Sequence, residues 1–254
     1  MSKLSANLGF LWPELSLISA IERAKAAGFD AVECHWPYDY SATDVKAALE
    51  AANIPMLGLN TRRGNVEAGE AGLSALVGRE SEARATIDEA IAYGAELGCG
   101  SVHVMSGVES DTKARQVLVG NLIYASEKAA QQSMNVLIEP INTRDIPGYY
   151  LNTIEQAHDI IRDVDRTNVK IMFDCYHIQI MQGDLLVRIE KHLPQIGHIQ
   201  IAAVPDRGEP GQGELNYQAI CAAIDAMGYA GYIGAEYKPR TTTDDGLSWM
   251  SLLR

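Results

Sequence analysis

The sequence predicts one (β/α)₈ barrel over residues 1–254, an α/β fold in a single domain. Three observations predict it. Eight short apolar or alternating runs recur along the chain, each bounded by turn or capping residues. Helical patterns separate them, and strict strand–helix alternation implies parallel strands joined by right-handed crossovers. No linker divides the chain, although its length alone would also fit two domains. An open doubly wound sheet is the alternative, but it rarely uses so many regular units in this length. No GxGxxG follows the first strand, so a dinucleotide site of the Rossmann type has no support.

The elements follow in order. The predicted strands cover residues 4–10, 31–36, 56–61, 101–107, 135–141, 169–175, 196–202 and 232–237. The first helix, in LISAIERAKAAGF, sets Ile18, Ile21, Ala24 and Lys25 at helical spacing and stops at Gly28. The second, over 41–53, opens on Ser-Ala-Thr-Asp, a capping-box variant. The third runs over 79–97 to Gly98, and the fourth over 111–133. The fifth opens at Asn152 as N-cap with Glu155 three residues on. The sixth spans 184–192, the seventh 216–227, and a short eighth closes the chain. The long loops 62–78 and 203–214 both follow strands, which puts them on the C-terminal face of a barrel, where catalytic groups sit. Both contain several glycines and are expected to serve as lids, since they share a face with the four ligand candidates below; ordinary surface loops are the alternative.

Composition excludes several functions. The net charge is −12, and no basic stretch is long enough to track a phosphate backbone. Nucleic acid and anionic membranes are therefore not expected partners. A small anionic substrate held by local Arg or Lys groups is compatible, and a homo-oligomer is left open. Cys34, Cys99, Cys175 and Cys221 form no CxxC motif and read as buried, reduced thiols of a cytoplasmic protein. MSKLSANLGF enters a strand pattern without a basic-then-apolar leader, so no signal peptide is expected, and no stretch has the length and apolarity of a membrane span.

The chemistry concentrates in four successive strands. NVLIEPI carries Glu139, VKIMFDCYH carries Asp174, IGHIQIA carries Gln200 and YIGAEYKP carries Glu236, about one strand–loop–helix unit apart. Acidic side chains are rarely buried in apolar strands unless paired or bound to metal. Three carboxylates together would repel without a cation. An all-oxygen set suits Mg²⁺ or Mn²⁺ better than Zn²⁺, which prefers His and Cys. The plainer alternative is a structural salt bridge for one or more of these acids, or backbone hydrogen bonding for Gln200.

These residues carry a resemblance. EPIN at 139–142, FDCYH at 173–177, GHIQIA at 197–202, DRGEPGQGELNY at 206–217 and EYKPRTTTDDGLSWM at 236–250 resemble the hydroxypyruvate isomerase family, within the xylose isomerase-like TIM-barrel superfamily. SANLGFLW, PYDY and GLSALVGRE fit the same family, and the likeness covers nearly the whole chain. Asn60 to Glu80 and the VHVM motif are similar to the related 2-oxo-tetronate isomerases, whereas EPIN leans to hydroxypyruvate isomerase. The resemblance implies a metal-dependent barrel with ligands at Glu139, Asp174, Gln200 and Glu236. It also implies an acid/base pair at Glu139 and Glu236.

Other polar residues are candidates for the substrate. His177 lies three residues beyond Asp174, in reach of a substrate oxygen or of the metal's surroundings, or simply packed against a loop. His103 alternates to the interior of its strand, and Asn60 ends strand three. His198 shares the face of Gln200 deeper in the barrel, and Glu33 and His35 share one in strand two. Arg207 is the first choice for a substrate carboxylate, followed by Arg62, Arg63 and Lys238. His158 and His192 fall in predicted helices and are expected to face solvent.

The expected activity is isomerisation of hydroxypyruvate to tartronate semialdehyde. One glutamate would take a carbon-bound proton and the other return it to the neighbouring carbon, through an enediolate stabilised by the metal. A hydride shift is the alternative route. A 2-oxo-tetronate or a free ketose is the alternative substrate. A superfamily nuclease would need a His-rich multi-zinc site and a basic face, which the chain lacks. A non-catalytic metal-dependent oxo-acid- or sugar-binding barrel is the reading from another class.

Overall fold

A computed structural model describes residues 2–253. Among them, eight parallel strands follow in chain order: β1 (Lys3–Asn7), β2 (Ala31–Glu33), β3 (Gly58–Asn60), β4 (Ser101–His103), β5 (Asn135–Ile138), β6 (Val169–Asp174), β7 (Ile196–Ile201) and β8 (Tyr232–Ala235). They form one sheet in the order β2–β1–β8–β7–β6–β5–β4–β3. The two end strands meet through a parallel bridge between Val32 and Met56. There the Val32 N–H donates to Pro55 at 2.9 Å and the Leu57 N–H donates to Val32 at 2.8 Å. The predicted barrel is thus nearly closed, with its loosest seam between β2 and β3.

The surrounding helices are α1 (Leu17–Ala26), α2 (Ala42–Ala52), α3 (Glu80–Leu97), α4 (Ala114–Ala130), α5 (Ile154–Val164), α6 (Cys175–Met181), α7 (Leu185–His192), α8 (Tyr217–Ala226) and α9 (Thr243–Gly246). Local chemistry sets their ends. The Ser41 hydroxyl accepts from the Asp44 N–H at the start of α2, as the capping pattern predicts. Gly98 ends α3 at a φ of 73°, a left-handed position that costs glycine little. Along α5, Ile154, Ala157, Ile160, Ile161 and Val164 form one buried stripe against the sheet. Strands β6 and β7 are buried on both faces, between the barrel interior and the helical ring.

Four expectations need correction. The predicted strands run too long: β4 stops at His103 and β5 at Ile138. Val104, Met105 and Ile141 are still buried, but at the barrel mouth rather than in a ladder. The N-cap of α5 is Thr153, not Asn152, and its hydroxyl accepts from Gln156 N–H. The crossover after β6 holds two helices. Helix α6 begins directly at the strand end, where the apolar run of FDCYHIQI hides the change of period. Finally, His192 is buried, with its ring 5.3 Å from that of half-buried His158.

Candidate active site

The four strand-end residues converge. Asp174 is the last residue of β6 and Gln200 lies beside it in β7, paired in register. Glu139 and Glu236 are the first residues after β5 and β8. Asp174 is fully buried, and it also caps α6 by accepting from the Tyr176 N–H at 2.9 Å. Ligand-capable atoms of Glu139, Asp174, His177 and Glu236 all lie within 4.8 Å of one another. The chemistry of this donor set fits a cation. Glu139 Oε1 and Gln200 Oε1 are buried acceptors without a hydrogen-bond partner among the described residues. Such atoms are costly to leave unmatched.

Each glutamate has a different setting. The Glu236 carboxylate accepts from Asn7 Nδ2 at 2.8 Å, contacts His35 Nε2 at 2.7 Å and pairs with Arg207 Nη2 at 2.6 Å. Burial pushes its pKa up, but Arg207 and His35 outweigh burial and hold Glu236 well below the ordinary carboxylate range. Glu139 lacks such partners. Burial, with the charges of Glu236 and Asp174, pushes it well above that range. Asp174 is raised by burial to about 7, despite Arg207. The two glutamates therefore sit with opposite protonation tendencies at one mouth.

The geometry defines the tautomer of His177. The Asn142 Oδ1 accepts from Asp145 N–H at 2.8 Å, so its amide nitrogen faces His177 Nδ1, 2.6 Å away. The Asn142 backbone N–H also points at Nδ1, at 3.3 Å. Nδ1 is thus an acceptor, and burial holds the ring's pKa well below its usual value. The neutral ring then carries its proton on Nε2, 3.5 Å from Asp174 Oδ2 and 3.7 Å from Glu139 Oε1. It presents a donor to the site rather than a free lone pair.

Beneath this cluster lies a polar layer. Glu33 accepts from Gln200 Nε2 and His198 Nε2, both at 3.0 Å, and from the Ser5 hydroxyl at 3.2 Å. Turning the Gln200 nitrogen toward Glu33 leaves its oxygen for the cluster. A cavity of about 190 Å³ runs below, toward the N-terminal end of the barrel.

A second cavity of about 170 Å³ opens over the cluster, lined by Glu139, Asp145, His177, Arg207 and Glu236 with Phe10, His35, Trp36, Asn60 and Arg63. Arg207 reaches in between the rings of Phe10 and Tyr176, 5.0 and 4.9 Å from their centres. His103 is buried beside Glu139 at 3.7 Å, and burial lowers its pKa to about 3. Lys238 remains exposed at the rim, 5.8 Å from the Phe10 ring. Arg62 turns outward to pair with Glu89. In the second long loop the Ala203 N–H donates to the Gly208 carbonyl and the Arg207 N–H to the Ala203 carbonyl, and Arg240 pairs with Asp206 and Glu209.

Asn7, Asn142, Asp145, Phe10 and Tyr176 also reach this site, and sequence reasoning did not single them out. The signal available was positional: Asn7 ends β1, and Asn142 lies three residues past Glu139 on the same face of the barrel.

Fold and site together define a barrel enzyme with a buried acidic centre. The xylose isomerase-like TIM barrel profile matches residues 21–253, and the chain belongs to that family. It is 42% identical to a 2-oxo-tetronate isomerase of Cupriavidus necator, covering 98% of each chain. It is 39% identical to a hydroxypyruvate isomerase of Escherichia coli over the full length of both. These relatives are isomerases, and this chain is an enzyme of that class. A Brucella melitensis crystal structure described as an AP endonuclease, family 2, superposes with a TM-score of 0.97 at 39% identity, covering 100% of both chains.

Proposed function

We propose that the protein is a metal-dependent isomerase that interconverts hydroxypyruvate and tartronate semialdehyde. The observation that carries this reading is the pair of buried glutamates, Glu139 and Glu236, facing one cluster with Asp174 and His177. Glu139, Asp174, Gln200 and Glu236 would hold Mg²⁺ or Mn²⁺, and the unpartnered Oε1 atoms of Glu139 and Gln200 support that set. When bound, such an ion stabilises negative charge on adjacent substrate oxygens. Glu139 and Glu236 exchange a proton with neighbouring substrate carbons, one taking it and the other returning it.

The remaining residues bind and orient. His177 offers its Nε2–H to a substrate oxygen. Arg207 balances the acidic charge and meets oxygens at the reacting end. Asn60 lines the upper cavity, His103 lies beside Glu139 and lines the cavity below, and Lys238 stands at the rim. The four free cysteines are all buried, in keeping with a reducing cytoplasm. Among the described residues, no helix is long and apolar enough to cross a membrane.

The same site suits a four-carbon 2-oxo acid, a reading favoured by the name of the Cupriavidus relative. A nucleic-acid substrate is disfavoured by the net charge of −12. Purified protein with Mg²⁺ or Mn²⁺, mixed with hydroxypyruvate, 2-oxo-tetronates and free ketoses and followed by NMR, tests the proposal. Conversion of an oxo acid that stops on chelation is expected. Binding without conversion of any compound would make the barrel a non-catalytic receptor.

A further inference from the structure

An oxo acid brings a carboxylate that the acidic cluster repels, so the cavity needs a cation whose N–H groups are not already spent. Two guanidinium groups line it, Arg207 and Arg63. Arg207 turns toward the acids: its Nη2 lies 2.6 Å from Glu236 and 3.4 Å from Asp174, and its Nη1 3.6 Å from Asp145, while its Nε–H, buried in the site, has no partner among the described residues. Even if a metal took over Glu236 and Asp174, Asp145 would remain beside it. Arg63 differs. Among the described residues its side chain has no carboxylate partner and no hydrogen bond, and its Cζ lies 4.0 Å from the centre of the Trp36 ring.

A guanidinium laid over an indole keeps its N–H edge available for a carboxylate. Trp36 is itself held, its Nε1–H donating to the Thr61 carbonyl at 3.0 Å. The backbone of Arg63 is held too, since its carbonyl accepts from Gly72 N–H at 3.0 Å. Gly72 is bridged to Ser106 at a φ of 133°, and a Cβ there would lie 2.6 Å from the Met105 carbonyl. Arg63 is therefore a half-buried cation on a loop packed against the barrel, not a free surface arginine.

We propose that Arg63 receives the carboxylate of the substrate in a two-pronged pairing, and that this selects oxo acids over uncharged sugars. The inference rests on the oxo-acid reading above. Its test compares Arg63→Ala, Arg63→Lys and Arg207→Ala with the native protein, all metal-loaded. Turnover of the oxo acid is measured, and so is calorimetric affinity for glycerate, a three-carbon acid without a carbonyl to isomerise.

Losing one charged pair should raise KM about 10- to 100-fold in Arg63→Ala. The expected kcat stays within about threefold, with a parallel loss of glycerate affinity and partial recovery in Arg63→Lys. A KM change below about threefold would overturn the proposal. So would a fall confined to kcat, or a loss of acid binding found in Arg207→Ala but not Arg63→Ala. If the native protein isomerises no oxo acid, the parent reading fails. Glycerate affinity then decides on Arg63 alone, and an unchanged value rejects it.

Discussion

Gln200 serves the site only if its amide oxygen, not its nitrogen, faces the carboxylates. Glu33 enforces that choice, because a carboxylate can only accept and it takes the amide N–H at 3.0 Å. Partners that orient a metal ligand in this way typically contribute 10- to 100-fold in affinity. Glu33→Ala is therefore expected to weaken Mn²⁺ binding by about that factor. Titration followed by electron paramagnetic resonance measures it, and a loss below about threefold would show that the amide needs no such support. The four acidic and amide candidates were legible in the sequence because each stands at or near the end of an apolar run. Glu33 was legible only as an inward-facing acid. Its partners His198 and Gln200 lie on strands far along the chain, and only the closed barrel brings them together. The tautomer of His177 was equally out of reach, since it depends on which way Asn142 is turned by Asp145.

At the scale of elements, small residues make room for the polar layer. Gly234 in β8 is the clearest case: a Cβ there would lie 2.1 Å from Glu33 Oε1 and 2.8 Å from His198 Nε2. Gly234→Ala must displace that network, and overpacking of this kind costs about 1–3 kcal/mol. Denaturant unfolding should register that loss, together with weaker metal binding. A variant as stable as the native chain, with unchanged affinity, would show that the layer has slack. Strand and helix order was readable from alternation and caps, as with Ser41 at α2. Helix α6 was not, because Asp174 is at once a strand residue, a candidate ligand and the cap of the next helix. No turn residue marks the change.

At the scale of the whole molecule, the proposed metal site would couple charge, ion binding and stability through a single cluster. Asp174 has its folded pKa raised to about 7 from 3.8, and Glu139 is raised well above 4.5. A raised carboxyl makes the metal-free fold the better proton binder. Its contribution is present at low pH and is lost as pH rises through about 7. Buried neutral His103 and His177 act in the opposite direction below their ordinary pKa of 6.5. The difference between loaded and metal-free protein therefore isolates the metal's part. Metal must displace the protons on the raised carboxyls, so the rise in Tm at fixed Mn²⁺ should shrink as pH falls from about 8 to about 6. At a free metal concentration of 100 Kd the stabilisation should be about 2.7 kcal/mol. Calorimetry checks both, and a metal effect independent of pH would contradict the cluster's protonation. In the proposed reaction Glu139 and Glu236 move the proton as well as holding the ion. The most direct test is kcat of Glu139→Gln and Glu236→Gln at measured Mn²⁺ occupancy. A carboxamide keeps a ligand oxygen but cannot take a proton at neutral pH. Substantial occupancy is expected, with kcat reduced about 10²- to 10⁴-fold in both variants. Near-native kcat in either, or a loss that follows occupancy alone, would contradict it.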